Sequence, residues 1–148
     1  MNTREEISSQ FVRLIESIAN SKMKKLDFGE GVELFRGEIH LIKAIGDQPG
    51  IFISELARLF LVSRAVVSKN IGKLEAQGFI RKTTDPDDKK RIQLFLTDEG
   101  EKAFRQHRRF HEEKDAYMYE FLKKLSEEEA KAISKFLRHA QSMVDHHF

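Results

Sequence analysis

The chain has 148 residues and a formal net charge of +2, and this length suits one domain-sized unit with its own core. It contains no cysteine, which excludes disulfides and thiolate metal ligands. Because no apolar run approaches membrane-span length and the amino terminus does not resemble a secretory leader, we expect a cytoplasmic protein with no membrane partner.

An amphipathic helix is predicted near the start of the chain. Its apolar residues recur at helical spacing and are Ile7, Phe11, Leu14, Ile15 and Ile18. The segment 27–31 ends this helix, and a second helix is predicted from about Leu34 to Gly46.

Two short helices joined by a turn come next, which is a helix-turn-helix pattern. The first helix is Ser54–Phe60, the turn is Leu61–Ser63, and the second helix is Arg64–Gly78. Ser63 stands at an N-cap position, and Gly78 stands where a left-handed stop is needed. The apolar residues of the second helix, predicted to share one face, are Ala65, Val66, Ile71 and Leu74.

The polar residues of the second helix are of the types that bind DNA. Arginine and asparagine can make bidentate contacts to base edges, whereas lysine and serine mainly reach phosphate. The predicted DNA-contacting residues here are Ser63, Arg64, Ser68, Lys69, Asn70 and Lys73. The alternative is an ordinary surface helix whose cations are only solvated.

The segment Phe79–Thr97 alternates apolar and polar residues on both sides of a turn, which predicts a β-hairpin. Asp85-Pro86 favours the turn, and three cations at or near its tip are predicted to contact phosphate. These cations are Lys89, Lys90 and Arg91. Asp88 is predicted to orient a nearby cation, with a solvated charge run as the alternative.

Basic charge is concentrated in this part of the chain. Residues 61–84 include five cations and one anion, so this segment has a net charge of +4 and the rest has −2. A basic patch on a nearly neutral body is the electrostatic footprint of a DNA-binding protein. The hairpin is therefore predicted to be the wing of a winged helix-turn-helix.

Two further helices are predicted after the wing. Thr97 can cap a long helix that ends near Leu125, and residues 126–129 form a capping box for the last helix. The first and last helices are too apolar to be covered within one small protomer, so a homodimer is predicted, with a monomeric helical pack as the alternative. The predicted dimerisation residues are Ile7, Phe11, Leu14, Ile133, Phe136, Leu137 and Ala140.

Nine short motifs follow one another between residues 49 and 100. They are Pro49-Gly50-Ile51, Glu55-Leu56-Ala57, Val62-Ser63-Arg64, Val67-Ser68, Ile71, Leu74-Glu75, Gly78-Phe79-Ile80, Asp85-Pro86-Asp87-Asp88 and Leu96-Thr97-Asp98-Glu99-Gly100. In this order they resemble the MarR family of bacterial transcriptional regulators. The family's wing arginine falls on Lys90, so either this lysine acts as a point charge or the wing is re-registered and Arg91 takes the role.

Together with the predicted elements, the resemblance implies a mainly α fold, an α+β winged helix of about six helices with a two- or three-stranded wing. It implies one unit over residues 1–148, with a DNA-binding lobe at 34–97 and a helical dimerisation lobe from 1–26 and 98–148. The implied function is a ligand-responsive repressor that binds double-stranded, pseudo-palindromic operator DNA as a homodimer, with half-sites about 10 bp apart.

A histidine pair on the long helix suggests a metal site. His107 and His111 are spaced i, i+4, so they share a face and can ligate one zinc ion. His40 lies on a helix that can pack beside them. The chain resembles zinc-responsive members of the family in this respect, and it also resembles fatty-acid-synthesis regulators with a similar segment. Zinc is therefore a candidate cofactor, with helix-packing histidines as the alternative.

The commoner family design places a small organic effector between the winged lobe and the dimer helices. The residues predicted to line such a crevice are Phe35, His40, Phe104, Arg108 and Tyr117. Plain core packing is the alternative for these aromatic residues.

An enzyme is not expected. His111-Glu112 begins a metalloprotease-like pattern, but Asp115 stands where that pattern needs a second histidine. The sequence has neither a nucleophile-elbow motif nor a phosphate-binding glycine loop. A winged helix that docks another protein is the alternative to DNA binding.

Overall fold

Six α-helices and two small antiparallel hairpins make up the part of the chain that this computed structural model describes, residues 2–21 and 24–147. The elements are α1 (Thr3–Ser21), β1 (Lys25–Asp27), β2 (Glu33–Phe35), α2 (Arg36–Asp47), α3 (Ile53–Phe60), α4 (Arg64–Ala76), β3 (Ile80–Thr84), β4 (Ile92–Leu96), α5 (Asp98–Lys123) and α6 (Glu127–His147). The prediction of a mainly helical chain with a wing hairpin is confirmed.

The largest departure from the predicted elements lies between α1 and α2. Leu34 belongs to strand β2 and not to a helix, and it pairs with Leu26 of β1 in an antiparallel register. An Asx turn begins the connection, in which the Asp27 carboxylate accepts the Gly29 amide at 2.8 Å. Because Leu34 is buried in the core as part of this hairpin, α2 begins only at Arg36.

The chain divides within α5 into two compact units, the first ending at Arg109 and the second beginning at Phe110. The core of the first unit is formed by α2, α3, α4 and both hairpins. Its fully buried side chains are Leu34, Ile39, Ile42, Ile45, Leu56, Val67, Ile71, Leu74, Ile80 and Leu94. Burial of one such side chain contributes about 1.5–3 kcal/mol, so this cluster holds α4 and the wing on one framework.

Helix α4 turns a different face to the core from the one predicted. The buried residues are Val67, Ile71 and Leu74, a stripe with helical spacing. The prediction for Ala65 and Val66 is wrong, since Ala65 is exposed and Val66 is 48% exposed. Successive residues are about 100° apart around a helix, so Val67 occupies the core position and Val66 does not.

Caps set the element boundaries at the predicted positions. The Ser63 hydroxyl oxygen accepts the Val66 amide at 3.2 Å, and Gly78 adopts a φ of 85° just after α4. At the start of α5, the Thr97 hydroxyl oxygen accepts the Gly100 amide at 3.1 Å. Each cap satisfies a backbone group that the helix end leaves without a partner.

The wing consists of two strands, and a further segment of the chain pairs with its edge. Strands β3 and β4 pair from Ile80↔Leu96 to Thr84↔Ile92, and the segment before α3 adds to the other edge of β4. There the Gly50 amide donates to the Leu94 carbonyl at 2.8 Å, and the Leu94 amide donates to the Ile51 carbonyl at 3.0 Å. A bridge between Phe52 and Gln93 completes this edge, so the wing is joined to the start of α3.

The second unit contains the end of α5 and all of α6. Its capping box is reciprocal: the Glu129 amide donates to the Ser126 hydroxyl at 3.2 Å, and the Ser126 amide donates to the Glu129 carboxylate at 2.8 Å. An open, mainly apolar groove of about 440 Å³ lies between the two helices. It is lined by Leu122, Leu125, Ala130, Ile133, Ser134, Leu137, Arg138 and Gln141. Among the described helices, none is long and apolar enough to cross a membrane.

Candidate nucleic-acid interface

The outer surface of α4 presents most of the predicted DNA-contacting residues. Arg64, Ser68, Lys69 and Lys73 are exposed, whereas Asn70 is half-buried. The stripe of three apolar residues beneath them fixes which way they face. Ser63 is exposed as well, but its hydroxyl oxygen already accepts the Val66 amide. The helix therefore has a rigid apolar side and a cationic outer side, as a major-groove helix requires.

A cavity of about 230 Å³ brings residues of α4 and the wing together. Its lining residues are Phe52, Ile53, Ser54, Arg64, Ala65, Ser68, Lys90, Arg91 and Ile92. Arg64 and Ser68 come from α4, and Lys90 and Arg91 come from the wing, so four predicted DNA-contacting residues border one concave surface. The structure thus places two cation-bearing elements side by side.

Arg91 is held by an aromatic ring. Its guanidinium carbon lies 3.6 Å from the centroid of the Phe52 ring, and Phe52 belongs to the edge segment that pairs with β4. A planar guanidinium stacks on a ring in a way that a lysine ammonium cannot. Lys90 is exposed one position earlier. The two wing cations therefore have different surroundings, one stacked and one open to solvent.

Two of the three aspartates of the wing tip, Asp85 and Asp88, accept backbone amides with their carboxylates. The Asp85 carboxylate accepts the Asp87 amide at 3.1 Å, and the Asp88 carboxylate accepts the Lys90 amide at 3.0 Å. The Asp88 carbonyl also accepts the Arg91 amide at 2.9 Å. Asp88 was predicted to orient a cation, and the contacts recorded for it are with the backbone that carries Lys90 and Arg91. The role predicted for Asp88, to orient a nearby cation, stays a prediction.

Two cations of β3 have partners within the protomer. The Lys82 ammonium lies 3.5 Å from the Glu75 carboxylate, and the Arg81 guanidinium lies 4.6 Å from the centroid of the Phe95 ring. Lys89 is exposed at the wing tip. Within the helix-turn-helix and the wing, the exposed cations without such a recorded partner include those of α4 and Lys89 and Lys90 of the wing tip.

The predicted histidine cluster is only partly assembled. His107 is buried, with its ring centroid 5.5 Å from that of Phe28 and 5.7 Å from that of His40, both edge to face. His111 belongs to the second unit, where its Nδ1 lies 2.6 Å from the Asp115 carboxylate. Among the described residues, no group of three or more His, Cys, Asp or Glu side chains is placed to hold a metal ion. His107 therefore packs as a core residue against Phe28 and His40.

The residues predicted to line an effector crevice make local contacts. Phe35 lies under the Lys25 ammonium at 5.4 Å, and Phe104 lies under the Arg108 guanidinium at 5.0 Å. Tyr117, in the second unit, is 72% exposed. These contacts neither form nor exclude a ligand site, and the crevice stays a prediction.

Glu38 is a charged residue in the first turn of α2, two positions before His40. One of its carboxylate oxygens is buried and has no hydrogen-bond partner among the described residues. Burial raises the pKa of Glu38 above its ordinary value of 4.5, and the positive charges of Lys25 and Lys73 offset part of that rise.

We expect Glu38→Gln to stabilise the fold at neutral pH. Since the folded-state pKa is raised, the folded state prefers the protonated acid, and stability is lost as the pH rises through that pKa. The gain over the parent should therefore be near zero below pH 4.5 and reach its maximum above the folded pKa. It should stay below about 1 kcal/mol, because the side chain is only partly buried. Urea denaturation at several pH values measures it, and a gain that shrinks with rising pH would contradict the assignment.

The sequence did not identify Phe52 as part of the candidate interface or Val66 as an exposed residue of α4. Phe52 was missed because an aromatic residue before a helix carries no local signal of stacking. Val66 was placed in the core, although the spacing of Ile71 and Leu74 points back to Val67. That spacing is the signal that could have shown Val66 to be on the outer surface.

Comparison with known proteins agrees with this geometry. A sequence model of the MarR family matches residues 36–91. The HTH-type transcriptional regulator PchR of Bacillus subtilis is 33% identical, over 97% of this chain and 90% of its own length. Lactococcus lactis ZitR in complex with DNA has a TM-score of 0.80 at 25% identity, covering 97% of this chain and 99% of that one. Streptococcus pneumoniae FabT in complex with DNA has a TM-score of 0.68 at 24% identity, covering 96% and 94%.

A helix-turn-helix with an adjoining cationic wing defines a class of DNA-binding transcriptional regulators. The chain belongs to the MarR family within that class. The predicted family, the winged-helix fold and the DNA-binding regulatory function are thereby confirmed. Members of the family are transcriptional regulators and not enzymes.

Proposed function

We propose that this regulator acts as a homodimeric, ligand-responsive repressor of a pseudo-palindromic operator. The observation that carries the proposal is the concave surface where Arg64 and Ser68 of α4 meet Lys90 and Arg91 of the wing. A recognition helix in the major groove and a wing on the adjacent backbone would use these residues together.

Distinct roles are proposed for the cations. Arg64 is at the first position of α4, where recognition helices reach base edges, and its guanidinium can bind guanine in bidentate fashion. Asn70 can read adenine, although it is half-buried. The other residues proposed to contact the DNA backbone are Ser63, Ser68, Lys69, Lys73, Lys89 and Lys90.

Exposed apolar surface supports the proposed homodimer. No residue of α1 is buried within the described chain, and Ile7 and Leu14 are 44% and 57% exposed. In the second unit, Phe136 and Leu137 of α6 are 39% and 58% exposed. Contiguous apolar helix faces of this kind are covered by a partner in stable proteins. A second copy would cover them and present two recognition helices about one DNA turn apart.

The proposed response to ligand is a shift between two dimer conformations. An effector that binds more tightly to a dimer with the wrong helix spacing weakens DNA binding by the ratio of its two affinities. An organic ligand near Phe35, His40, Phe104 and Arg108 is the first candidate. Zinc is less well supported, because the two neighbouring imidazoles of His40 and His107 fall short of the three or four ligands of a zinc site.

Selection of bound duplexes from a random pool, followed by a salt titration, tests the proposal. Affinity for the selected operator should fall steeply with salt, because each phosphate neutralised contributes about 0.9 to the slope of log K against log salt. A protein that docks another protein through an apolar face would not show this slope. Sedimentation of the complex gives its stoichiometry, and one monomer per operator contradicts the dimer.

Arg64→Ala and Lys90→Ala should have different effects on the same operator. Arg64→Ala should relax the preference at one base pair of each half-site, at a loss of about 1–3 kcal/mol per contact. Lys90→Ala should weaken binding to all sequences alike and lower the salt slope by about 1.8 for a dimer with two wings. Parental affinity in both variants would contradict the roles proposed for these residues. Repeating the titration with zinc, a chelator and aromatic or acyl acids identifies the effector class.

A further inference from the structure

The amino-terminal half of α4 exposes apolar side chains beside its cations. Val66 is 48% exposed and Ala65 is exposed, although the core stripe of the same helix is filled by Val67, Ile71 and Leu74. The Val66 side chain therefore adds less to the protomer core than these three. Its γ-methyl groups are available on the outer surface of the helix.

The position of these methyl groups on α4 suggests what they contact. Ala65 and Lys69 are one turn apart on the side opposite the buried stripe, and Val66 and Lys73 lie on the flank of that side. Residues in the first turns of a recognition helix are the ones that reach base edges. Gly72, whose missing Cβ would meet no atom within 4 Å, leaves room for this surface to approach the groove closely.

A thymine methyl group is the only apolar feature that a base pair presents in the major groove. We propose that Val66, with Ala65 beside it, contacts the C5-methyl group of one thymine in each half-site and so determines specificity at that position. The proposal rests on the proposed operator-binding function. It adds recognition of one base through an apolar contact to the contacts already proposed for the cations. Lys69 and Lys73 border the apolar surface with positive charge, so a polyanion fits it better than an apolar protein partner.

Replacement of thymine by deoxyuridine tests the contact, because it removes only the methyl group and keeps every hydrogen-bonding atom of the base. In the selected operator, each thymine is replaced in turn and binding is measured by fluorescence anisotropy. One position in each half-site should lose about fourfold in affinity, the value of one buried methyl group, and replacement in both half-sites should lose about fifteenfold. In Val66→Ala, the same replacements should lose less than about twofold in each half-site, because most of the apolar contact is already gone.

Leu61→Ala is the matched control. Leu61 is 92% exposed and lies in the turn before α4, so its loss removes more apolar surface but should leave the thymine preference intact. Circular dichroism checks that each variant is folded. The proposal is overturned if the parent tolerates deoxyuridine at every position, or if Val66→Ala keeps the parental preference. Failure of the folded parent to bind any duplex at low salt would instead overturn the operator-binding function itself.

Discussion

Gly100→Ala is expected to lower the free energy of unfolding by about 2–3 kcal/mol. Gly100 is buried in the first turn of α5, and a Cβ at this position would collide with the carbonyl oxygen of Phe79 and lie 3.1 Å from the Leu96 Cβ. The Phe79 carbonyl cannot withdraw easily, since it accepts the Thr97 amide at 3.1 Å. The collision therefore involves backbone on both sides of the wing and not the flexible end of a side chain.

Helix propensity alone predicts the opposite sign. Alanine is favoured over glycine inside a helix by about 1 kcal/mol. A Gly100→Ala variant with a higher free energy of unfolding than the parent would therefore show that the close approach does not destabilise the fold. Gly72→Ala is the matched control, because Gly72 lies within α4 and an added Cβ there meets no atom within 4 Å. It should gain about 0.5–1 kcal/mol. Urea denaturation followed by circular dichroism measures both variants under the same conditions.

This close approach explains why the leucine-threonine-x-x-glycine motif is informative. Thr97 caps α5 through the Gly100 amide, and its hydroxyl also donates to the Gly78 carbonyl at the end of the recognition helix. Gly100 then lets α5 start directly against Phe79. The motif thus joins three elements at one point, and the spacing of its residues in sequence reflects that junction.

Features set by neighbouring residues could be predicted from the sequence. Ser63 caps α4 through an amide three residues away, and Ser126 and Glu129 cap α6 in the same way. The backbone conformation of Gly78 is likewise a local property. Such signals gave the helix-turn-helix, the wing turn and the starts of α4, α5 and α6 to within one or two residues.

Features set by tertiary packing could not be predicted in the same way. The β1–β2 hairpin consists of two three-residue strands, too short to show an alternating pattern, and it is held by burial of Phe28, Val32 and Leu34 in the core. The contact between Phe52 and Arg91 joins residues far apart in sequence.

The stacked arginine of the wing leads to a second prediction with a large effect. Arg91 lies 3.6 Å from the Phe52 ring centroid, and Phe52 lies directly before α3 in the segment that bridges to β4. Stacking of this kind contributes about 0.5–1 kcal/mol at exposed sites and more where water is excluded. With two wings on one operator, we expect loss of the stack to weaken DNA binding about fivefold to thirtyfold.

Arg91→Lys and Phe52→Leu should each produce this loss without changing the salt slope. Arg91→Lys keeps the charge but removes the planar group, and Phe52→Leu keeps an apolar side chain but removes the ring. Lys90→Ala is the contrasting variant, because it removes a charge and should lower the slope. Since Arg91 and Phe52 act through one contact, the double variant should bind about as well as either single variant. Additive losses in the double variant would show that the ring does not act through Arg91. A salt slope that falls in Phe52→Leu would contradict the prediction by showing that the stacked Arg91 contacts phosphate.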